Sequence, residues 1–174
     1  MTQYHQKKIA MINDLSGYGR CSLTVAIPVL SAMGHQCCPI PTAILSNHTE
    51  FPVYFFDDYT EKMTTYTDKW KELGLSFDAI ATGFLGSEAQ IGIVMEIVQK
   101  LKAEKTFVVV DPVMVATSGA KLISDDAIET LKKELLPLAT VITPNIPEAE
   151  VLADMKIANE EEMIIAAEKI SKKF

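Results

Sequence analysis

The run Phe107-Val108-Val109-Val110-Asp111-Pro112 is a short apolar stretch closed abruptly by a carboxylate and a proline. A β-branched run this short, with Lys105 before it and Pro112 after it, fits a strand buried on both faces, as in parallel sheets. Open parallel sheets bind ligands at the C-ends of their strands, which makes Asp111 a candidate for contact with a ligand or its metal. Residues 139–143, Ala-Thr-Val-Ile-Thr, repeat the pattern and run into Pro144-Asn145-Ile146-Pro147-Glu148, delivering an amide and a second carboxylate. Taken singly, each strand end reads more readily as a turn, with Asp111 and Asn145 serving turn chemistry and Glu148 a helix N-terminus.

The remaining pattern supplies the partners such strands need. Strands are expected over residues 8–13, 35–45 and 77–82, with polar turns at 14–19 and 46–49 and a glycine-rich turn at 83–87. Helical spacing runs over 22–33, where Val25, Val29 and Met33 recur and Pro28 removes a backbone donor, and over 59–73, with Met63, Tyr66 and Trp70 on one face. Residues 88–102 give the clearest helix, with Ile91, Met95, Val98 and Leu101 as its stripe and Ser87 at its start. Further helices are expected over 125–135, with Ile128, Leu131 and Leu135 inward, over 148–154 and over 160–172, and Thr117-Ser118-Gly119 is expected to form a loop. Residues 51–56 are aromatic, proline-interrupted and closed by Asp57-Asp58, as in an exposed flap strand over a pocket.

Alternating strands and helices predict a three-layer α/β/α sandwich with a mainly parallel sheet, built as one α/β domain over 1–174 with a flap segment near 46–58. A helix ending at Lys172-Lys173-Phe174 with no strand after it leaves the last strand as an open edge or awaiting more chain, so the domain is expected to be incomplete at its C-terminus.

Composition narrows the partners. A formal net charge of −7 argues against nucleic acid, whose non-specific binding needs clustered Lys and Arg. No apolar stretch is long enough to span a bilayer, and Ile9 to Ile12 after Lys7 and Lys8 is too short for a signal-peptide core. Cys37 and Cys38 are adjacent and Cys21 stands apart, which gives neither a disulfide framework nor metal-ligand spacing and points to a reducing cytoplasm.

Gly17-Tyr18-Gly19-Arg20-Cys21-Ser22 follows a strand and opens a helix, yet Ser22 replaces a third glycine and no acid ends the second strand to hold a ribose. No Gly-Lys-Ser/Thr phosphate loop is present either. His5 and His35 are expected to be structural or surface residues, and His48 to serve mainly in hydrogen bonding. Tyr18 and Phe84 sit beside glycines at strand ends, placed either to stack on a flat ligand or to pack in the core. Asp14, Thr49, Asp111, Asn145 and Glu148 all fall at C-ends of successive strands, so one crevice could hold a polar small molecule beside a magnesium-bound phosphate.

These residues resemble those of the pyridoxal (pyridoxine, pyridoxamine) kinases of the ribokinase-like superfamily. The resemblance runs the length of the chain and is carried by Tyr18-Gly19, Ser46-Asn47-His48-Thr49, Gly83-Phe84-Leu85-Gly86-Ser87, Asp111-Pro112-Val113-Met114 and Thr143-Pro144-Asn145-Ile146-Pro147-Glu148. It implies a ribokinase-like fold, a homodimer, and ATP-dependent phosphorylation of the 5′-hydroxymethyl group of a B6 vitamer. On the same basis Asp14 and Thr49, with Glu50 adjacent, contact the vitamin ring. Asp111 lies near metal and phosphates, Thr143 touches the nucleotide, and Asn145 with Glu148 orients Mg²⁺ and its waters, so Asp111 and Glu148 are the metal residues.

Two departures qualify the resemblance. The family usually has Ser where Asp14 stands, and an anion only accepts hydrogen bonds where a hydroxyl also donates. Asp14-Leu15-Ser16-Gly17 and Val115-Ala116-Thr117-Ser118-Gly119 look more like the hydroxymethylpyrimidine kinases, the alternative reading, with a non-catalytic small-molecule-binding module as a third. The family's catalytic aspartate and Gly-rich anion hole are expected beyond Phe174, so the 174-residue chain is expected to be inactive alone.

Overall fold

In a computed structural model, residues 6–115 and 121–174 are described. The loop expected at Thr117-Ser118-Gly119, the pyrimidine-kinase-like segment containing it, and His5 lie wholly or partly outside the described residues. Six strands form one sheet in the order β3-β2-β1-β4-β5-β6. They are β1 (Lys8–Tyr18), β2 (Gln36–Asn47), β3 (Phe56–Asp58), β4 (Ala79–Thr82), β5 (Phe107–Val110) and β6 (Val141–Ile142). All pairings are parallel except β2 with β3. The helices are α1 (Ser22–Ala32), α2 (Thr60–Glu72), α3 (Glu88–Leu101), α4 (Asp125–Thr130), α5 (Ile146–Ala153) and α6 (Glu160–Lys173).

Strand direction and crossover handedness place the layers. The step from β1 to β2 runs opposite to the steps from β2 to β4, β4 to β5 and β5 to β6, so right-handed crossovers put α1 on one face and α2, α3 and α4 on the other. The second face holds the core. Ala10 and Ile12 of β1, Ile80 of β4, and Val108 and Val110 of β5 pack there with Ile91, Val94, Ile97 and Val98 of α3. The alternate residues Met11, Ala81 and Val109 are only partly covered, and Phe107 is 58% exposed.

Several elements differ from their sequence reading. β1 does not turn at Asp14; it continues to Tyr18, with Leu15, Ser16 and Tyr18 paired to Ile44, Leu45 and Asn47 after a register shift. The flap strand is Phe56–Asp58 rather than residues 51–56, and it pairs antiparallel with Ala43, Ile44 and Leu45. Strand β6 is only Val141–Ile142. Helix α4 is followed by a wide π turn over Leu131–Leu135 and a 3-10 turn over Leu136–Leu138, where Pro137 lacks the N–H that would continue a regular helix. Along α1 the repeated Val25, Val29 and Met33 face solvent, and Leu23 is the buried residue. In α3 the fully buried stripe is Ile91, Val94, Ile97 and Val98, with Met95 half-buried beside it.

Candidate functional site

The floor of the site is the core face of β1, continued past the end of its helical cover. Ala10 and Ile12 lie under α3, and the same face presents Asp14 and Ser16 further along the strand. Helix α3 starts at Glu88, capped by Ser87, whose Oγ accepts from the Gln90 N–H at 3.2 Å. Buried Gln90 anchors that end, donating to the Thr42 carbonyl at 3.0 Å and to Thr60 Oγ1 at 2.8 Å while accepting from the Gly86 N–H at 2.8 Å. Beyond this anchor opens a cavity of about 660 Å³ lined by Asp14, Ser16, Ala43, Leu45, Phe84, Gly86 and Leu122, with Arg20, His48, Thr49 and Glu50 also on its walls. The volume and mixed lining suit a small heteroaromatic ring.

Asn13 fixes the floor. Its Oδ1 accepts from the Asp14 N–H at 3.0 Å and from the Phe84 N–H at 3.1 Å, joining β1 to the loop after β4. Gly83 allows that contact, since a Cβ there would lie 2.2 Å from Asn13 Nδ2. Asp14 is 9% exposed, and its Oδ2 accepts from the Ser16 hydroxyl at 3.4 Å.

The rim is built on His48. Gly19 has φ +109°, and a Cβ there would meet His48 Cδ2 at 2.4 Å, so glycine admits the imidazole. The His48 ring lies 4.6 Å from that of Phe51, and its Nδ1 is 3.8 Å from Glu50 Oε2. Ser46 and Asn47 hold the flap: Ser46 Oγ accepts from the Phe55 N–H at 2.8 Å, and Asn47 Nδ2 donates to the Val53 carbonyl at 3.0 Å. Tyr54 and Phe56 thereby join the cavity wall. Tyr18 does not line it; the ring is 69% exposed and packs edge-on against Phe51 at 5.6 Å.

Asp111, Asn145 and Glu148 form a second cluster on the same sheet edge. Glu148 is 2% exposed. Its Oε1 accepts from the Met114 N–H at 2.9 Å and the Val115 N–H at 3.4 Å, and its Oε2 from the Asn145 N–H at 2.9 Å. Asn145 caps α5 in return, accepting from the Glu148 N–H at 2.9 Å and donating through Nδ2 to the Val115 carbonyl at 2.8 Å. The helix cap therefore doubles as a clamp on the segment after β5, where Val113 takes the left-handed φ of +40°. Burial first, and then the negative charge of Glu148, push the Asp111 carboxyl up, against a hydrogen bond from the Val113 backbone that pulls it down.

Thus Asp111 and Glu148 share one edge, as expected, with one qualification. Both Glu148 oxygens are engaged by the backbone, which leaves Asp111 as the open oxygen donor. Among the described residues no group of three or more His, Cys, Asp or Glu could hold a metal ion. Asp111 would offer a hard divalent ion one carboxylate, the other oxygens having to come from water and phosphate. Thr143 is exposed, its N–H donating to the Val110 carbonyl at 3.0 Å. Since β4 separates β1 from β5, the Asp14 and Asp111 strands lie roughly 10 Å apart, two ladder spacings.

Ser16, Arg20, Cys21, Tyr54, Phe56 and Leu122 line the cavity without having been singled out in the sequence. Ser16 was legible, two residues beyond Asp14 on the same face. The others reach the cavity through the flap, the start of α1 and, for Leu122, the segment before α4, which no local pattern specifies.

The family model described as phosphomethylpyrimidine kinase matches residues 25–174. A structure from Bacteroides thetaiotaomicron, described as a phosphomethylpyrimidine kinase and holding pyridoxal, is 41% identical, superposes with a TM-score of 0.87, and is matched over 97% of this chain and 60% of its own. The Staphylococcus aureus pyridoxal kinase in complex with AMP-PCP is 28% identical with a TM-score of 0.78, over 98% of this chain and 60% of its own. The pyridoxine kinase of Bacillus subtilis is 31% identical over 170 residues, 95% of this chain and 54% of its own length. The chain thus spans about half to three-fifths of the relatives described here.

Proposed function

This chain belongs to the phosphomethylpyrimidine kinase family, and from that premise we propose that it carries the ring-binding and magnesium–nucleotide portion of an ATP-dependent kinase for a B6 vitamer. The observation that carries this reading is the pairing of a cavity at Asp14, roomy enough for a substituted ring, with the Asp111–Glu148 cluster, on one sheet edge and roughly 10 Å apart by strand spacing. Related structures hold pyridoxal and an ATP analogue, which supports both co-substrates.

In this reading Asp14, Thr49, Glu50 and Phe84 surround the ring, with Tyr18 packing the rim from outside. Asp111 would hold Mg²⁺ near the phosphates and Thr143 would meet the nucleotide, while Asn145 and Glu148 hold the segment after Asp111 in place through Met114 and Val115. Mg²⁺ would supply charge neutralisation between the phosphates and these carboxylates. The bond from the terminal phosphorus to its bridging oxygen breaks as one to the hydroxymethyl oxygen forms. The relatives extend beyond the part this chain matches, and the base that takes the hydroxyl proton is assigned to that further part, so this chain alone is expected to bind without turning over. A hydroxymethylpyrimidine is the alternative acceptor, favoured by the description of the matching family.

The test is a phosphorylation assay on this chain, alone and joined to the C-terminal remainder of a full-length relative, with Mg-ATP and either pyridoxal or hydroxymethylpyrimidine. Turnover of pyridoxal by the joined protein is expected. Turnover by the chain alone overturns the assigned division of labour, and preference for the pyrimidine overturns the vitamin reading. Ligand binding with no turnover even after joining marks a non-catalytic module.

A further inference from the structure

Among the described residues, Asp14 is the one ionisable side chain lining the cavity that is nine-tenths buried. Arg20 and Glu50 line the same cavity at exposed positions, and His48, Cys21 and Tyr54 complete its titratable lining among the described residues. From β2 and from the loop after β4 come only Ala43, Leu45, Phe84 and Gly86. The Asp14 carboxylate makes no ion pair among the described residues, and its side-chain partner is the Ser16 hydroxyl at a long 3.4 Å. Its own backbone N–H is taken by Asn13 Oδ1 at 3.0 Å. A carboxylate offers several acceptor sites and no donor, and a buried one left short of donors is costly. A donor on a ligand entering the cavity would meet a carboxylate that holds one long side-chain hydrogen bond.

Resting on the ring-binding reading above, we propose that Asp14 selects the protonation state of the bound ring: the cavity takes a heteroaromatic that presents an N–H, which for a pyridine alcohol is the protonated ring nitrogen. An unprotonated ring nitrogen is itself an acceptor, and two acceptors face to face repel. A serine hydroxyl at this position would donate to that nitrogen, whereas a carboxylate accepts a charge-assisted bond from the cation and disfavours the neutral ring. Asp14 is thus a specificity-determining residue for ring state as well as for ring identity.

Ring absorbance reports nitrogen protonation directly, so the experiment needs no turnover. Pyridoxine is titrated onto the 174-residue chain, its Asp14→Asn variant and its Asp14→Ser variant, from below the ring nitrogen's free pKa to about two units above it. The wild-type chain is expected to hold the protonated-ring spectrum at the upper end, with affinity about tenfold weaker in Asp14→Asn. Asp14→Ser is expected to bind the unprotonated ring. A wild-type complex with the unprotonated spectrum overturns the inference while leaving the vitamin reading intact, and this measurement does not depend on either variant folding. Equal affinity in a folded Asp14→Asn chain overturns it as well. If hydroxymethylpyrimidine binds and pyridoxine does not, the vitamin reading fails and the pyrimidine's own spectrum decides the role of Asp14 in the same way. Binding of neither probe overturns both.

Discussion

Three backbone N–H groups, from Met114, Val115 and Asn145, converge on the carboxylate of Glu148. Removing it strands the buried Met114 donor, at about 1–3 kcal/mol, and two half-buried donors at less. Urea unfolding of Glu148→Ala should therefore show a loss of about 3 kcal/mol, and Glu148→Gln, which keeps an acceptor oxygen, a smaller one. In a complete kinase, Glu148→Gln should weaken the Mg-ATP-dependent step more than vitamin binding; equal losses would count against its placement. Asp111 behaves differently. Burial and Glu148 raise its pKa, so the folded state holds the charged form less readily than the unfolded chain does. The sign of the linkage is then a penalty, present above the raised value and gone below the ordinary carboxylate range. Asp111→Asn should raise the Tm at neutral pH, with the gain over wild type closing as pH falls through the carboxylate range; a lower Tm at neutral pH would contradict the assigned charge repulsion. Both residues were legible as strand-end acids, but the clamp was not, because its partners are backbone groups of a segment remote in sequence.

At the level of elements, periodicity identified where helices lie better than which side meets water. Val25, Val29 and Met33 recur at helical spacing, yet Val29 is 49% exposed, because α1 rests on the sheet through Leu23 and its neighbours. Leu23→Ala should cost about 2–5 kcal/mol. Val29→Glu should stay within about 0.5 kcal/mol, and a large loss would show that the face is covered. Asp14, Gly17 and Gly19 looked like a turn for a sound local reason, since Asp and Gly are turn formers. Pairing with β2 overrode that preference at Asp14 and Gly17, and ladder bonds carry β1 past both to Tyr18, while Gly19 beyond the strand keeps a positive φ. The short β6 and the π turn before it reflect Pro137, whose position was visible although its effect on the preceding turn was not.

Over the whole molecule, the alternation of strands and helices was enough to specify a parallel α/β sheet, because right-handed crossovers leave few arrangements. Strand order, and the uneven cover of the two faces, depend on contacts between distant segments. Phe107 and Val141 lie open near the β5–β6 edge, and α1 carries an apolar stripe. Parallel sheets are ordinarily covered on both faces. The chain should therefore self-associate, as the homodimer implied by the family resemblance would: its sedimentation-average mass should rise with concentration, and Val29→Glu should lower that rise. A strictly monomeric chain over the same range would rule the dimer out.

Strand β1 outruns its neighbour β4, whose last rung pairs Thr82 with Ile12. Its acid is thus mounted on pleated backbone and not on a mobile tip. Exchanging the flap for that of a distant relative should alter which substituents fit overhead while leaving the height and electrical character of the platform untouched. Such a scaffold permits new ring decorations to be explored through the canopy alone.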